Sequence, residues 1–531
     1  MTSAEKDAYI LKLEQQNRDL LTQVTLLTKQ IETLTHQIDN LQEIILQMRR
    51  DKFGSSSEKT PKEDIGGQLY MPQVFNEVEV SADNSVKEPC KITREDNVRA
   101  RSKGTRKELL LKDLPIAEVV YQADESTRTC PRCGTDLREI GKKFIRDELE
   151  YIPAQLKIIK YYQTSYECPE CKHTDKPYIA AASAPKSLLN HSLASASSVA
   201  NVIYQKYVNA MPLYRQEKTW EDLGIDLSRA TMANWIIRCY EEYFDPLVDH
   251  MQNILIKRDI IHCDETPVQV LKEPGKDPKT KSYMWVYKTG NDGKEPIVIY
   301  DYNPSRSGDC AANFLKDFTG YIHTDGFSGY NKLKSVTRCG CWAHARRKFV
   351  DAIPDKKSDG PKTNAEIGRD YCNALFKIEE TLADLTPEER FSKRLELEQP
   401  ILDEFWNWLE VINVLPGSAI GKAREYTLNQ KQFLMNYLLD GRLNISNNPA
   451  ENAIRPFTVG RKNWLFSDTP KGAKASAAVY SIVETAKANG LNVYTYLNYL
   501  LERMPNINWN TNPQILEALM PWNNQVQQAC R

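Results

Sequence analysis

Residues 260–270 read IIHCDETPVQV. This β-branched, apolar run predicts a buried strand that carries Asp264 where the apolar part stops. Two more strands are predicted at SYMWVYKTG (282–290) and PIVIYDY (296–302), followed by a helix-like segment, DCAANFLKDF, and a short strand, GYIHTDG (320–326), which ends at Asp325. Three strands in a meander, a helix and a fourth strand that can lie beside the first predict a ribonuclease-H-like core.

A third acidic residue is expected from GRLNISNNPAEN (441–452). Asn447 or Asn448 can cap a helix there, Pro449 suits its first turn, and Glu451 projects from that turn. A lone acid of this kind is more often a turn or capping residue. Two carboxylates at neighbouring strand ends repel unless divalent cations bridge them, and three suit two Mg²⁺ or Mn²⁺ ions. We therefore predict catalytic, metal-binding roles for Asp264, Asp325 and Glu451.

Basic residues flank the predicted acids. Residues 326–348 contain six Lys or Arg and no acid, and residues 455–474 contain five basic residues against one acid. The second stretch also holds Phe457, Trp464 and Phe466, and basic groups beside aromatic rings are typical of nucleic-acid binding. An ordinary solvated face is the alternative. The predicted DNA contacts here are Arg346, Arg347, Lys348, Arg455, Arg461, Lys462, Asn463 and Trp464. Cys341 and His344 form a C-x-x-H pair. We interpret it as structural support for the core, since two ligands do not complete a zinc site, and a further metal pair is the alternative.

A helix-turn-helix candidate precedes the core at 212–244. Leu213, Trp220 and Leu223 fit the buried face of one helix, Gly224 allows a turn, and Ser228 can cap a second helix with Met232, Trp235 and Ile236 inside. The exposed side of that second helix would present Arg229, Thr231 and Asn234 to DNA. Two ordinary packed helices are the alternative, because the pattern is loose.

Four cysteines form two C-x-x-C pairs separated by 34 residues: Cys130, Cys133, Cys168 and Cys171. Two such pairs can hold one tetrahedral Zn²⁺, whereas a redox dithiol needs only one pair. Strand-like alternation between them (144–166) suggests a zinc ribbon, so we predict one structural zinc per chain.

The N-terminus shows a seven-residue repeat. Ile10, Val24, Ile31, Ile38 and Ile45 occupy one heptad position, and a leucine series occupies the other, three residues later. This pattern favours a parallel two-stranded coiled coil and hence a homodimer, with a globular core helix as the alternative. The predicted dimer contacts are Asn17, which would fix the register, and Leu20, Leu27, Leu34 and Leu41.

The overall composition is balanced, with 70 Lys and Arg against 71 Asp and Glu in 531 residues. The net charge of −1 gives no global sign of a DNA partner, but the charges are segregated: residues 99–112 hold six basic groups against one acid, and 377–404 hold nine acids against four basic groups. No apolar run approaches the ~20 residues of a membrane span, and no secretion signal is visible. We expect a cytoplasmic protein, nucleoid-associated when bound to DNA, with no membrane contact.

Five motifs, in order, resemble those of the IS66 family of bacterial insertion-sequence transposases. They are HCDET (262–266), HTDGFSGYN (323–331), GCWAHARRKF (340–349), ISNNPAENAIRPFTVGRKNWLF (445–466) and SIVETAKANGLNVYTYL (481–497). The resemblance covers nearly the whole chain, including the zipper, FGSSSEK (53–59), CPRCG (130–134) and LMPWN (519–523).

The resemblance implies a DDE-type transposase whose catalytic acids are Asp264, Asp325 and Glu451. It implies hydrolytic cleavage at terminal inverted repeats and attack of the freed 3′-hydroxyls on target DNA, without a covalent protein–DNA intermediate. In the family, small accessory proteins are associated with movement. A nuclease that cleaves without joining, and a non-catalytic zinc-containing DNA-binding regulator, are the alternatives.

The expected fold class is multidomain α/β, with an N-terminal parallel coiled coil, a four-Cys zinc ribbon, a helix-turn-helix-like region and a ribonuclease-H-like core with an α-helical insertion. Residues 1–53 form the zipper, 54–114 a flexible linker with a basic end, 115–180 the zinc ribbon, 181–255 the helical DNA-binding region, 256–355 the first part of the core, 356–439 the insertion, 440–490 the second part of the core, and 491–531 a C-terminal helical segment. The insertion is inferred because the 125 residues between Asp325 and Glu451 exceed what the bare fold needs.

Overall fold

The computed structural model describes residues 12, 14–30, 154–167, 179–354, 361–509 and 512–531. Residues 14–30 are helical, and within them Leu20 and Leu27 are 57% and 55% exposed in the single chain. Every described residue of this helix is exposed in the single chain, so the coiled coil stays a prediction. Leu34 and Leu41 lie outside the described residues, as do the linker and the cysteines of both C-x-x-C pairs.

A mixed sheet lies at the centre of the chain. Its strands are β3 (Ile260–Val270), β4 (Lys281–Thr289), β5 (Val298–Asn303), β6 (Gly320–His323) and β7 (Val336–Cys339), in the spatial order β5-β4-β3-β6-β7. β3, β4 and β5 pair antiparallel, whereas β6 pairs parallel to β3 and to β7. A short strand, β8 (Phe466–Ser467), continues beside the far end of β3. The meander and the fourth strand beside the first agree with the sequence prediction.

A separate antiparallel pair, β1 (Ser165–Glu167) and β2 (Ile179–Ala181), precedes the core. Residues 154–164 have no regular structure, so of the strand-like stretch predicted before Tyr166 only its last residues form a strand in the described part of the chain.

Helices surround the sheet. Before it come α1 (Ala196–Tyr207), α2 (Leu213–Asp222), α3 (Arg229–Cys239) and α4 (Asp245–Leu255), with a π-helical turn at Tyr240–Phe244. α5 (Gly308–Phe314) lies between β5 and β6, and the later helices are α11 (Asn448–Trp464), α12 (Pro470–Ala488), α13 (Val493–Arg503) and α14 (Asn524–Cys530). Among the described residues, no helix combines the length and apolar character needed to cross a membrane.

α12 covers the outer edge of β5. The Thr485 hydroxyl accepts a hydrogen bond from the Val298 backbone N–H at 3.0 Å, and the Ser481 hydroxyl accepts one from Tyr300 at 2.8 Å. The Thr485 hydroxyl also donates to the Val298 carbonyl at 2.9 Å. Helix side chains therefore satisfy backbone groups that an edge strand would otherwise expose.

Four helices fill most of the region between β7 and α11. They are α7 (Asn364–Thr381), α8 (Pro387–Leu397), α9 (Gln399–Val411) and α10 (Ala419–Met435). Apolar side chains of α7, α9 and α10 pack with those of α6 (Trp342–Asp351) around a second apolar core. Thr363 and Thr386 close capping boxes at the starts of α7 and α8. Trp342 ties α6 to α10, because its ring N–H donates to the Leu434 carbonyl at 2.9 Å. The region predicted as an insertion is thus mostly helical in its described residues.

Gly308 at the start of α5 is expected to be intolerant of a side chain. A Cβ placed on Gly308 would overlap the Gly329 carbonyl in the turn that follows Asp325. We expect Gly308→Ala to lower the unfolding free energy by about 1–3 kcal/mol, because this backbone contact must open. Gly472→Ala is the matched control, since its Cβ would meet the Thr469 hydroxyl at an ordinary 3.5 Å. Thermal melts of the two variants should differ, and equal melting temperatures would contradict the close approach.

Candidate active site

Asp264 and Asp325 lie at neighbouring strand ends. His262 of β3 is paired in parallel register with His323 of β6, and each acid lies two residues beyond its histidine. The Asp264 carboxylate accepts a hydrogen bond from the Glu265 N–H at 2.9 Å, and the Asp325 carboxylate accepts one from Phe327 at 2.9 Å. These local bonds fix both side chains at one edge of the sheet.

The third acid, Glu451, comes from the first turn of α11. Its Oε1 lies 3.5 Å from His344 Nδ1, and its Oε2 lies 3.7 Å from Arg347 Nη2. Burial raises the pKa of Asp264 well above its usual range, and the charges of Glu265, Asp325 and Glu451 raise it further. Asp325 and Glu451 are thus both close enough for their charges to act on Asp264.

Such a cluster of carboxylates fits divalent cations. Asp264 is half-buried, and like-charged neighbours disfavour its ionised form. Oxygen-only ligands of this kind are what Mg²⁺ and Mn²⁺ prefer. Asp264, Asp325 and Glu451 would therefore hold the ions, whose charge would offset the repulsion.

Asn447 has a different role from the one the sequence suggested. It occupies the N-cap position of α11, but its side chain makes no capping hydrogen bond. Its amide instead donates to the Cys263 carbonyl at 2.7 Å, and its Oδ1 lies 3.1 Å from His262 Nδ1. Its backbone N–H donates to Cys341 Sγ at 3.2 Å. Asn447 thus joins β3, the residue before α6 and the helix that carries Glu451.

Two buried histidines support the strand ends beneath the acids. The rings of His262 and His323 stack with centroids 4.3 Å apart. Burial lowers the pKa of His262 to about 4 and lowers that of His323 well below its usual range, so both rings are neutral at physiological pH. A neutral ring is favoured at both positions because burying an uncompensated positive charge in the core would be costly.

Glu265 is a fourth carboxylate that sequence reasoning missed. Its side chain is 1% exposed and pairs with Arg306 at 2.7 Å, and it accepts a hydrogen bond from the Tyr330 hydroxyl at 2.6 Å. Burial raises its pKa, while Tyr330 and Arg306 oppose that shift. Because side chains alternate along a strand, Glu265 points to the other face of β3 from Asp264. The two consecutive acids in HCDET, on opposite faces of one strand, were the sequence signal that could have identified Glu265 as a second acid of β3.

Cys341 and His344 lie beside Glu451. Cys341 is 1% exposed at the start of α6, and His344 lies on the first turn of that helix. Burial raises the pKa of the Cys341 thiol to about 12 and lowers the pKa of His344. Their position against the third acid is compatible with the predicted supporting role.

The basic residues of α6 differ in exposure. Arg347 and Lys348 are exposed, and Arg347 faces Glu451. Arg346 is half-buried and donates to the Asn373 side chain at 2.6 Å, which directs it toward α7. Arg347 and Lys348 are therefore the α6 residues best placed for phosphate.

On α11, Arg455 and Lys462 are exposed. Arg461 is half-buried and donates to the Thr266 hydroxyl at 3.1 Å and to the Pro267 carbonyl, so it braces β3. Asn463 is exposed and donates to the Ala210 carbonyl at 2.8 Å.

The three aromatic residues of the basic stretch 455–474 differ in exposure, and the two on α11 are less accessible than the one in β8. Phe457 is 2% exposed in the main core, so its ring is not available to stack on bases. Trp464 is half-buried, with Lys206 Nζ 4.1 Å from its ring centroid and Tyr207 against its edge. Phe466 is 43% exposed. The 3.6-residue period of α11 places Phe457 on the inner face of that helix, which composition alone does not reveal.

The helix-turn-helix candidate forms two helices. Gly224 has a φ of +84° in the turn, and the Ser228 hydroxyl accepts the Thr231 N–H at the start of α3. Met232, Trp235 and Ile236 are buried as expected. Leu223 is 37% exposed, so its assignment to the buried face of α2 was wrong; Gln216 occupies that face instead.

The predicted recognition residues lie at the start and outer side of α3. Arg229 and Asn234 are exposed. Thr231 is half-buried, and its hydroxyl shares a hydrogen bond with Ser228 at 3.0 Å. Arg229 also lies over the Tyr214 ring at 5.8 Å, which holds its side chain near α2.

Comparison with known proteins places the chain among transposases. The family model described as "Transposase IS66 family" matches residues 191–475, and the IS66 C-terminal element matches 481–522. The zinc-finger binding domain of transposase IS66 matches 127–172, a range that includes all four cysteines of the C-x-x-C pairs, and "Transposase C of IS166 homeodomain" matches 40–119. The chain belongs to the IS66 transposase family.

Similar curated proteins occur in Sinorhizobium fredii. The uncharacterized protein y4qI is 28% identical over 74% of this chain and 74% of its own length. The uncharacterized protein y4hP is 26% identical over 90% of this chain and 87% of its own length. The two matches thus span about three quarters or more of each relative.

Proposed function

We propose that this chain is a DDE-type transposase with a ribonuclease-H-like core, which cleaves DNA at the terminal inverted repeats of its element and joins the 3′-hydroxyls to target DNA. The single observation that carries the proposal is the convergence of Asp264, Asp325 and Glu451 at one edge of the sheet. Two Mg²⁺ or Mn²⁺ ions bound there would supply Lewis-acid activation of the attacking oxygen and stabilise the leaving oxygen.

The chain's own residues hold this geometry. β3 and β6 fix Asp264 and Asp325 in parallel register, and Asn447 fixes the start of the helix that carries Glu451. Arg347 beside Glu451 is placed to bind a phosphate oxygen of DNA, because a guanidinium matches phosphate geometry. The exposed cations of α6 and α11 extend that surface.

The remaining modules serve binding and assembly in this proposal. In the zinc ribbon, one zinc is held by Cys130, Cys133, Cys168 and Cys171. In the helical region, α3 presents the exposed Arg229 and Asn234 to DNA. The N-terminal zipper forms a homodimer, so that two element ends can be cut together. The protein acts in the cytoplasm on the nucleoid, and small accessory proteins of the element are further candidate partners.

The test is incubation of the purified full-length protein with labelled terminal-repeat DNA, a target plasmid and Mg²⁺, with any accessory proteins of the element present. Joined products support transposition. Cleavage without joining favours the nuclease, and binding without any metal-dependent reaction favours the regulator and overturns the enzymatic proposal.

The exposed cations of α11 are expected to contribute directly to DNA affinity. Arg455→Ala combined with Lys462→Ala should weaken binding and reduce the slope of log affinity against log salt by up to about 2, because each phosphate contact contributes about 0.9. Fluorescence anisotropy at several salt concentrations measures this slope. The control is Lys393→Ala with Lys487→Ala, two exposed lysines that pair with Glu396 and Glu484. An equal loss of DNA affinity in both double variants would show that the α11 cations do not contact DNA.

A further inference from the structure

The structure places a soft ligand set directly against the proposed catalytic acids. One ligand atom each from Cys341, His344 and Glu451 lies within 4.8 Å of the other two. Cys341 supplies sulfur, His344 imidazole nitrogen and Glu451 a carboxylate oxygen. Among the described residues, no other group of three His, Cys, Asp or Glu side chains brings its ligand atoms this close together.

Two of the three ligand atoms have no hydrogen-bond partner. His344 Nδ1 and Glu451 Oε1 are both buried and unsatisfied, although they lie only 3.5 Å apart. Unsatisfied buried polar atoms are costly, and two that face one point indicate a missing ligand. Cys341 Sγ accepts the Asn447 N–H at 3.2 Å, an interaction that also suits a metal-bound thiolate.

The distances suit a small tetrahedral ion. Zn²⁺ bonds of about 2.0–2.3 Å to N, O and S place neighbouring ligand atoms about 3.4–3.6 Å apart. The 3.5 Å between His344 Nδ1 and Glu451 Oε1 already matches one such edge. Cys341 Sγ needs only a side-chain adjustment of about 1 Å to complete the set, within the 4.8 Å limit.

We propose that Cys341, His344 and Glu451 form a second zinc site, distinct from the four-cysteine zinc finger, with an open fourth position. Mg²⁺ is a poor occupant, because it prefers oxygen ligands in an octahedral arrangement, whereas thiolate and imidazole select zinc. The site stands on its donor atoms and does not require the transposition chemistry. Its Glu451 is shared with the proposed Mg²⁺ cluster, so zinc and Mg²⁺ draw on the same carboxylate.

The test is zinc content. Full-length wild-type protein equilibrated with Zn²⁺ and freed of loosely bound metal should hold one more zinc per chain than Cys341→Ser or His344→Asn, by atomic emission. Cys372→Ser is the matched control, because Cys372 is also buried but lies in α7 outside the cluster. The zinc finger contributes equally to all four proteins, so the difference reports the second site alone.

Equal zinc content in all four proteins would overturn the proposal. If Cys341→Ser fails to fold, His344→Asn still decides, because His344 is only half-buried. A second measurement is Co²⁺ absorption: the wild type and Cys372→Ser should show additional thiolate charge-transfer intensity that Cys341→Ser lacks. Neither measurement involves DNA, so a failure here is distinguishable from a failure of the proposed transposase activity.

A consequence that rests on the proposed function concerns inhibition. Excess Zn²⁺ should inhibit Mg²⁺-dependent cleavage, because zinc at this site engages Glu451. Loss of an outer-shell partner of a metal ligand typically weakens metal binding by about 10–100-fold, and loss of a ligand should weaken it at least as much. The Zn²⁺ concentration for half inhibition should therefore rise at least about tenfold in His344→Asn, while Cys372→Ser keeps the wild-type value.

Discussion

Asp264→Asn is expected to reduce Mg²⁺-dependent cleavage about a thousandfold or more while leaving DNA binding in place. A missing metal ligand at this position removes several kcal/mol of transition-state stabilisation, which converts to such a factor. Single-turnover cleavage of labelled terminal-repeat DNA measures the rate, and anisotropy measures binding. Asp309→Asn is the control, because Asp309 is an exposed acid that pairs with Lys332 at 2.7 Å away from the cluster.

The same substitution should not destabilise the fold. The pKa of Asp264 is raised above its unfolded value, so the folded state binds this proton more tightly and loses stability as pH rises through that interval. Asn carries no charge, and without divalent metal Asp264→Asn should melt at or above the wild-type temperature near neutral pH. A variant that is inactive and also melts well below wild type would point to misfolding instead of a lost ligand.

Arg394→Met is expected to cause the largest loss of stability. Arg394 is 0% exposed and binds both oxygens of Glu379, at 2.6 and 2.8 Å. It also donates to three backbone carbonyls, those of Tyr437, Asp440 and Leu443. Breaking a buried ion pair leaves uncompensated polar groups and costs about 3–5 kcal/mol. Urea unfolding of the helical region, followed by tryptophan fluorescence, measures the change.

Lys393→Met is the matched control, because Lys393, the residue before Arg394, forms an exposed pair with Glu396 worth at most about 1 kcal/mol. A loss under about 1 kcal/mol in Arg394→Met would refute the structural role of this network. The carbonyls that Arg394 holds lie shortly before α11, so cleavage should fall with stability in this variant. The helical region thus helps to place the third acid.

The strand ends were predictable from the sequence because local signals sufficed. IIHCDET and GYIHTDG each show an apolar strand that stops at an acid, and a parallel pair brings such stops together. The start of α11 was predictable for the same reason, since Pro449 and the preceding asparagines mark a helix start. These features depend on neighbours in the chain.

The features that sequence reasoning missed depend on distant contacts. Asn447 bonds to His262, 185 residues away, so its capping signature was overridden by a partner that no local pattern reveals. Phe457 is buried because α11 packs on the sheet. Glu265 can be buried because Arg306 pairs with its charge and the Tyr330 hydroxyl donates a hydrogen bond to it, both from later segments. Cys341 and His344 were recognised as a pair, but the third member, Glu451, comes from more than a hundred residues further along.

The hydroxyls of Ser481 and Thr485, which occupy the backbone groups of β5, also limit how copies of this protein can associate. A strand from another chain would have to displace α12 before it could pair there. The sheet therefore cannot grow sideways from this edge into a continuous intermolecular sheet. In the proposed transposase, a second subunit that approached this edge would therefore meet the side chains of α12, and the pairing of β5 with β4 would stay unchanged.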